Sequence, residues 1–169
     1  MKRDIRDRQY IVKSPATVDR TAAGDAFAQL AFRIIQLGNH LTLAGDALAK
    51  PTGQTSARWQ VLAAAAREEM SVAQIARLLG VARQGVQRLA DLLEADGLIR
   101  YAENPAHQRA KLLQLTAKGE RVLGDIRARQ AIWANDLGAE LGQRQLQAAG
   151  ETLQQVLEAL KGRQGKPEE

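Results

Sequence analysis

The chain has 169 residues, of which 45% are apolar, 25% charged and 4% aromatic, proportions that suit a single globular domain. Ala, Leu, Gln and Arg dominate, and these side chains lose little rotamer freedom in a helix. A net charge of +5 fits a polyanionic partner. The absence of cysteine excludes disulfides, thiol switches and cysteine-ligated zinc.

The first 16 residues read as a charged, aperiodic tail without the apolar stretch of a secretory signal. No run reaches the roughly 18 apolar residues of a membrane span, so a cytoplasmic protein without a membrane partner is expected. From Val18 to Ala49, Phe27, Leu30, Ile34, Leu37, Leu41 and Leu48 recur at helical steps. Pro51-Thr52-Gly53 ends that pattern. Thr55 then reads as the N-cap of a short helix carrying Trp59, Val61 and Leu62.

Ser71 followed three residues later by Gln74 has the form of a capping box. It predicts a short helix to Leu79, closed by Gly80. A second helix is predicted from Ala82 to Ala95, closed by Gly97. Leu98–Tyr101 and Ala110–Leu115 read as two strands around a polar tip containing Asn104-Pro105. Two further helices, Ala117–Leu137 and Gln143–Leu160, carry apolar stripes (Val122, Ile126 and Trp133; Leu146, Leu153 and Leu160) that need a partner surface.

The stretch from Val72 to Gly97 has the spacing of a helix-turn-helix: Ala76 small at the contact, Gly80 in the turn, Val86 and Leu89 facing the first helix. On the second helix Val86, Leu89, Ala90 and Leu93 share an inner face. Arg83, Gln84, Gln87, Arg88 and Asp91 share the opposite one. On an isolated helix such a face is simply solvated. Behind a helix-turn-helix turn, Arg and Gln are the side chains that pair with guanine and adenine edges in the major groove. The hairpin that follows reads as a wing, whose tip can reach phosphates or a minor groove, although taken alone it is also an ordinary polar turn.

From these residues the sequence resembles the MarR type of multiple-antibiotic-resistance regulators. The resemblance runs through Thr55–Leu62, Ser71–Ala76, Leu89–Ile99, Asn104–Lys111 and Leu115–Gly119. It implies a mainly α fold with a small β-hairpin wing, a winged helix-turn-helix flanked by N- and C-terminal dimerisation helices. It divides the chain into a tail (1–16), an N-terminal dimerisation helix (17–50), a DNA-binding region (55–116), C-terminal dimerisation helices (117–161) and a frayed end (162–169). It also implies a homodimer on a pseudo-palindromic operator that represses or activates nearby genes, with a repressor as the expectation taken, and that is tuned or released by a small aromatic or phenolic compound. Double-stranded DNA is the expected partner, with Ser71, Arg83, Gln84, Gln87, Arg88, His107, Gln108 and Arg109 as contacts.

The sequence departs from the family pattern at four places. Asn104 and His107 stand where the wing tip usually has Asp, and Gln108 stands for the first of two Arg, of which Arg109 is kept. Ala82 occupies the place of a Ser or Thr cap, removing about 1 kcal/mol of capping.

For an effector the resemblance offers His40, Arg58 and Trp59, a cationic and aromatic set suited to a carboxylated ring. Singly, Trp59 also fits a core role and His40 a surface one. With His40 and His107 the only imidazoles, no metal site is expected. No cofactor is expected either. No nucleophile elbow, phosphate-binding glycine loop or metalloprotease motif is present, which argues against an enzyme. A dimeric helical scaffold whose winged domain binds protein is the alternative, separable by the weaker salt dependence of its binding.

Overall fold

A computed structural model describes residues 19–105 and 110–164. The described elements are α1 (Ala22–Ala49), a 3-10 turn (Lys50–Thr52), α2 (Ser56–Arg67), β1 (Met70–Ser71), α3 (Val72–Leu79), α4 (Arg83–Ala95), β2 (Ile99–Ala102), β3 (Leu112–Leu115), α5 (Ala117–Leu141) and α6 (Gln143–Gln164). The fold is mainly helical with a three-stranded antiparallel sheet, the winged helix-turn-helix expected. By its internal contacts the chain divides after His40. In the first unit α1 begins where the Thr21 hydroxyl oxygen accepts from the Gly24 N–H at 3.1 Å. Phe32 and Ile35 are exposed there.

In the second unit α1 stops at Pro51, and Gly53 turns the chain at φ +73°. Thr55 caps α2, its side chain accepting from the Arg58 N–H. Ser56 N–H donates to Asp46 Oδ1 at 2.6 Å, tying the end of α1 to the start of α2.

The sheet has the order β1-β3-β2. Tyr101 pairs with Leu113 across β2 and β3, and Met70 pairs with Leu113 on the other side. The sequence pattern anticipates a two-stranded hairpin. The third strand, β1, escapes it because two residues carry no measurable alternation. Leu62, Ile75, Leu93, Leu98, Leu113 and Leu123 close the core between α2, α3, α4, the sheet and α5.

Three helix ends differ from expectation. α1 begins at Ala22 and not at Val18, because the Thr21 side chain accepts from the Gly24 N–H and sets the start there. α5 continues through Gly138 to Leu141, and the break falls at Gly142, φ +82°. Ala139, Glu140 and Leu141 are strong helix formers and outweigh the roughly 1 kcal/mol that one glycine costs. α6 likewise runs to Gln164, past the expected fraying at 162. The tail expected at 1–16 lies outside the described residues.

Where β2 and α5 meet, a Cβ on Gly119 would lie 2.0 Å from the Leu98 carbonyl oxygen. Only a residue without a side chain fits that approach. The joint is tied by Thr116, whose hydroxyl donates to Gly97 O at 2.7 Å and accepts from the Gly119 N–H at 3.1 Å. Among the described residues no helix is long and apolar enough to cross a membrane.

Candidate nucleic-acid interface

α3 and α4 meet through Ala76 and Val86, both buried, and Gly80 makes the turn between them at φ +67°. α3 starts from the anticipated capping box. Gln74 Oε1 accepts from the Ser71 N–H at 2.8 Å and from the Ser71 hydroxyl at 2.7 Å. Ser71 is therefore buried and spends its hydroxyl locally. α4 starts at Ala82 without a side-chain cap, as the alanine there requires.

The two faces of α4 separate cleanly. Val86, Ala90 and Leu93 are buried, whereas Arg83, Gln84 and Arg88 are exposed. Gln87 differs from these three. It is half-buried, and its side-chain nitrogen donates to Asp91 Oδ1 and to the Tyr101 phenol oxygen, each at 2.8 Å. The Tyr101 hydroxyl in turn donates to Asp91 Oδ1 at 2.8 Å. Burial, reinforced by the Asp91 carboxylate, pushes the Tyr101 phenol well above its ordinary pKa, so it stays a donor.

Ser71, Arg83, Gln87, Tyr101 and Lys111 line a recess of about 300 Å³ between the start of α3, α4 and the wing. Tyr101 and Lys111 were not anticipated in this role. A signal for Tyr101 existed, because alternation from buried Ile99 places it on the inner face of β2, where a phenol at the rim needs a partner. His107, Gln108 and Arg109 lie outside the described residues.

A second recess, of about 350 Å³, is lined by Leu48, Trp59, Ala63, Arg127, Gln130 and Trp133, among others. Of the three residues expected around an effector, Trp59 stands here. Arg58 does not line this recess: its guanidinium pairs with Asp96 at the end of α4. That hydrogen bond and charge hold the Asp96 carboxyl below its ordinary pKa. Lys118 Nζ donates to the Asp96 carbonyl oxygen at 2.8 Å, so one residue joins α2, α4 and α5. His40 is an exposed residue of α1. Among the described residues no group of three or more His, Asp or Glu could hold a metal.

The MarR family model matches residues 52–110, a span that contains α2, α3, α4 and β2 and stops just before β3. An uncharacterised protein of Mycobacterium tuberculosis is 39% identical over 137 residues, 81% of this chain and 96% of the relative. The transcriptional activatory protein BadR of Rhodopseudomonas palustris is 33% identical over 108 residues, 59% of this chain and 62% of that protein. The chain belongs to the MarR family. As a MarR-family protein it is a DNA-binding transcriptional regulator and not an enzyme. Solved MarR-family structures share its fold. A mutant MarR of Escherichia coli in complex with operator DNA has a TM-score of 0.70 at 18% identity, covering 79% of this chain and 96% of that one. CouR of Rhodococcus jostii bound to p-coumaroyl-CoA has a TM-score of 0.68 at 23% identity, covering 75% and 90%.

Proposed function

We propose that this MarR-family chain acts as a homodimeric repressor that reads a pseudo-palindromic operator through α4. The observation that carries the reading is the exposed row Arg83, Gln84 and Arg88 on a helix whose opposite face buries Val86, Ala90 and Leu93 in the core. These are side chains able to address base edges, and in the E. coli complex a protein of this fold is bound to operator DNA. In this reading Arg83 and Lys111, which line the first recess together with Ser71, address phosphates. His107, Gln108 and Arg109, which lie between β2 and β3 in the sequence, complete the proposed set, Arg109 adding a further cation.

The second copy is inferred from apolar surface. Leu146, Leu153, Leu157 and Leu160 on α6 are each 38–46% exposed, and their spacing puts them on one stripe that an isolated chain leaves in water. The dimerisation segments are accordingly α1 and α5–α6, flanking the DNA-binding region 55–116. A dimer spanning two half-sites about one helical turn, roughly 34 Å, apart blocks access to a promoter beneath it. Release by a small aromatic acid is supported by the second recess, where Trp59 and Trp133 offer flat apolar faces and Arg127 a cation. CouR is solved with an aromatic acyl ligand. In this reading Arg127 takes the role first expected of Arg58.

Binding of the purified protein to duplex from its own upstream region, against random competitor across a salt series, tests the core of the reading. Specific binding that weakens steeply with salt is expected. Equal binding to competitor sinks the operator, and salt-insensitive capture of a protein favours a scaffold. A promoter fusion then fixes the sign. Expression rising when the gene is deleted supports repression, and expression falling places the chain with BadR, named an activator. Arg88→Ala should cost about 1–3 kcal/mol of specific binding and relax preference at one base position.

A further inference from the structure

Gln87 occupies the middle of the α4 face, and its hydrogen bonds decide which of its polar atoms is available. A carboxylate oxygen accepts and does not donate, so the Gln87 atom 2.8 Å from Asp91 Oδ1 is its amide nitrogen. That same nitrogen lies 2.8 Å from the Tyr101 oxygen. Tyr101 has already given its own hydrogen to Asp91, so its oxygen accepts from Gln87. Three residues thus close a ring in which the Gln87 amide nitrogen has two acceptors at 2.8 Å, one available to each of its hydrogens. The carbonyl oxygen, an acceptor only, is what remains.

Resting on the reading of α4 as the DNA-facing helix, we propose that Gln87 reads DNA as a pure acceptor, selecting a base that offers an amino group. A free glutamine pairs with adenine through two bonds, accepting from N6 and donating to N7. With its donors committed, Gln87 keeps only the first of these. Adenine N6–H and cytosine N4–H satisfy it alike, while guanine O6 and thymine O4 present an acceptor to an acceptor. Tyr101 is the positioning residue of this arrangement. It sits on β2 and acts on the base through Gln87, linking the root of the wing to the specificity of the helix.

The test is selection of binding sites by the full-length protein from a duplex library randomised across the half-site, for the wild type, Gln87→Ala and Tyr101→Phe, with thermal melting to verify folding. In the wild type, one position per half-site should enrich adenine and cytosine about fivefold or more over guanine and thymine, and nearly equally, the size of one modest base contact. Gln87→Ala should flatten that position alone. Tyr101→Phe frees one amide hydrogen, so adenine should gain about fivefold over cytosine there as the second bond becomes available. A merely structural role for Tyr101 lowers the melting temperature without changing that ratio. A wild-type preference for adenine over cytosine at the Gln87-dependent position overturns the proposal. So does an unchanged ratio in Tyr101→Phe, or no position that responds to Gln87→Ala. In each of those cases an enriched site survives and with it the DNA-binding reading. A library that the wild type does not enrich overturns both.

Discussion

Gly119 and Asp96 show how single residues fix the joint between the wing and α5. The Leu98 carbonyl occupies the space where any side chain on residue 119 would begin, and a backbone atom cannot rotate away. Gly119→Ala is expected to destabilise by about 3 kcal/mol, the upper part of the range for overpacking, seen as a lower urea midpoint at unchanged slope. Asp96 responds to pH. Its carboxyl is held below the ordinary value of 3.8 by Arg58, so the stabilisation it gives is complete above that value and is lost as pH falls through the folded-state pKa. Asp96→Asn should therefore be less stable than wild type at neutral pH, with the two converging as acid is added below about pH 3.8. Neither role is legible from the residue alone. Gly119 belongs to the Thr-Ala-Lys-Gly stretch that carries the family resemblance, but its reason is a carbonyl 21 positions earlier. The same limit explains Arg58. A cation next to a tryptophan suggests a shared pocket, yet neighbours on a helix point about 100° apart, and only Trp59 enters the recess.

At the scale of the element, local rules carried far. The caps at Thr55, Ser71 and Gly80 and the stop at Pro51 follow from side-chain chemistry within four residues, and each is found. What was not legible depended on non-local partners or on competition between weak preferences. β1 exists because Met70 and Ser71 lie beside β3, and α5 runs past Gly138 on the strength of its neighbours. Two substitutions test the capping argument from opposite sides. Thr116→Ala removes the hydroxyl that accepts from Gly119 N–H and donates to Gly97 O, and should cost about 1–2 kcal/mol in chemical denaturation. Ala82→Ser supplies α4 with the cap it lacks and should return up to about 1 kcal/mol.

For the whole molecule, charge and exposed apolar surface point outward to two different partners. If the basic interface neutralises phosphates, the logarithm of the binding constant should fall against the logarithm of salt concentration with a slope near −0.9 for each contact. Lys111→Ala should then make that slope shallower by about one such unit. The α6 stripe predicts a sedimentation mass of twice the chain, with Leu153→Glu and Leu157→Glu together shifting it toward the single chain. Three helical glycines extend this. At Gly85, Gly138 and Gly150 an added Cβ meets nothing within 4 Å, and alanine is the better helix former by about 1 kcal/mol. The chain by itself is thus less stable for keeping them. An alanine scan scored once for melting temperature and once for regulation in cells turns these positions into proximity reporters. Where alanine raises the melting temperature and regulation persists, the space is truly empty. Where alanine weakens the assembly at 138 or 150, a second copy lies within a methyl group of the helix. Where it stabilises at 85 yet regulation fails, the surface that arrives there is DNA.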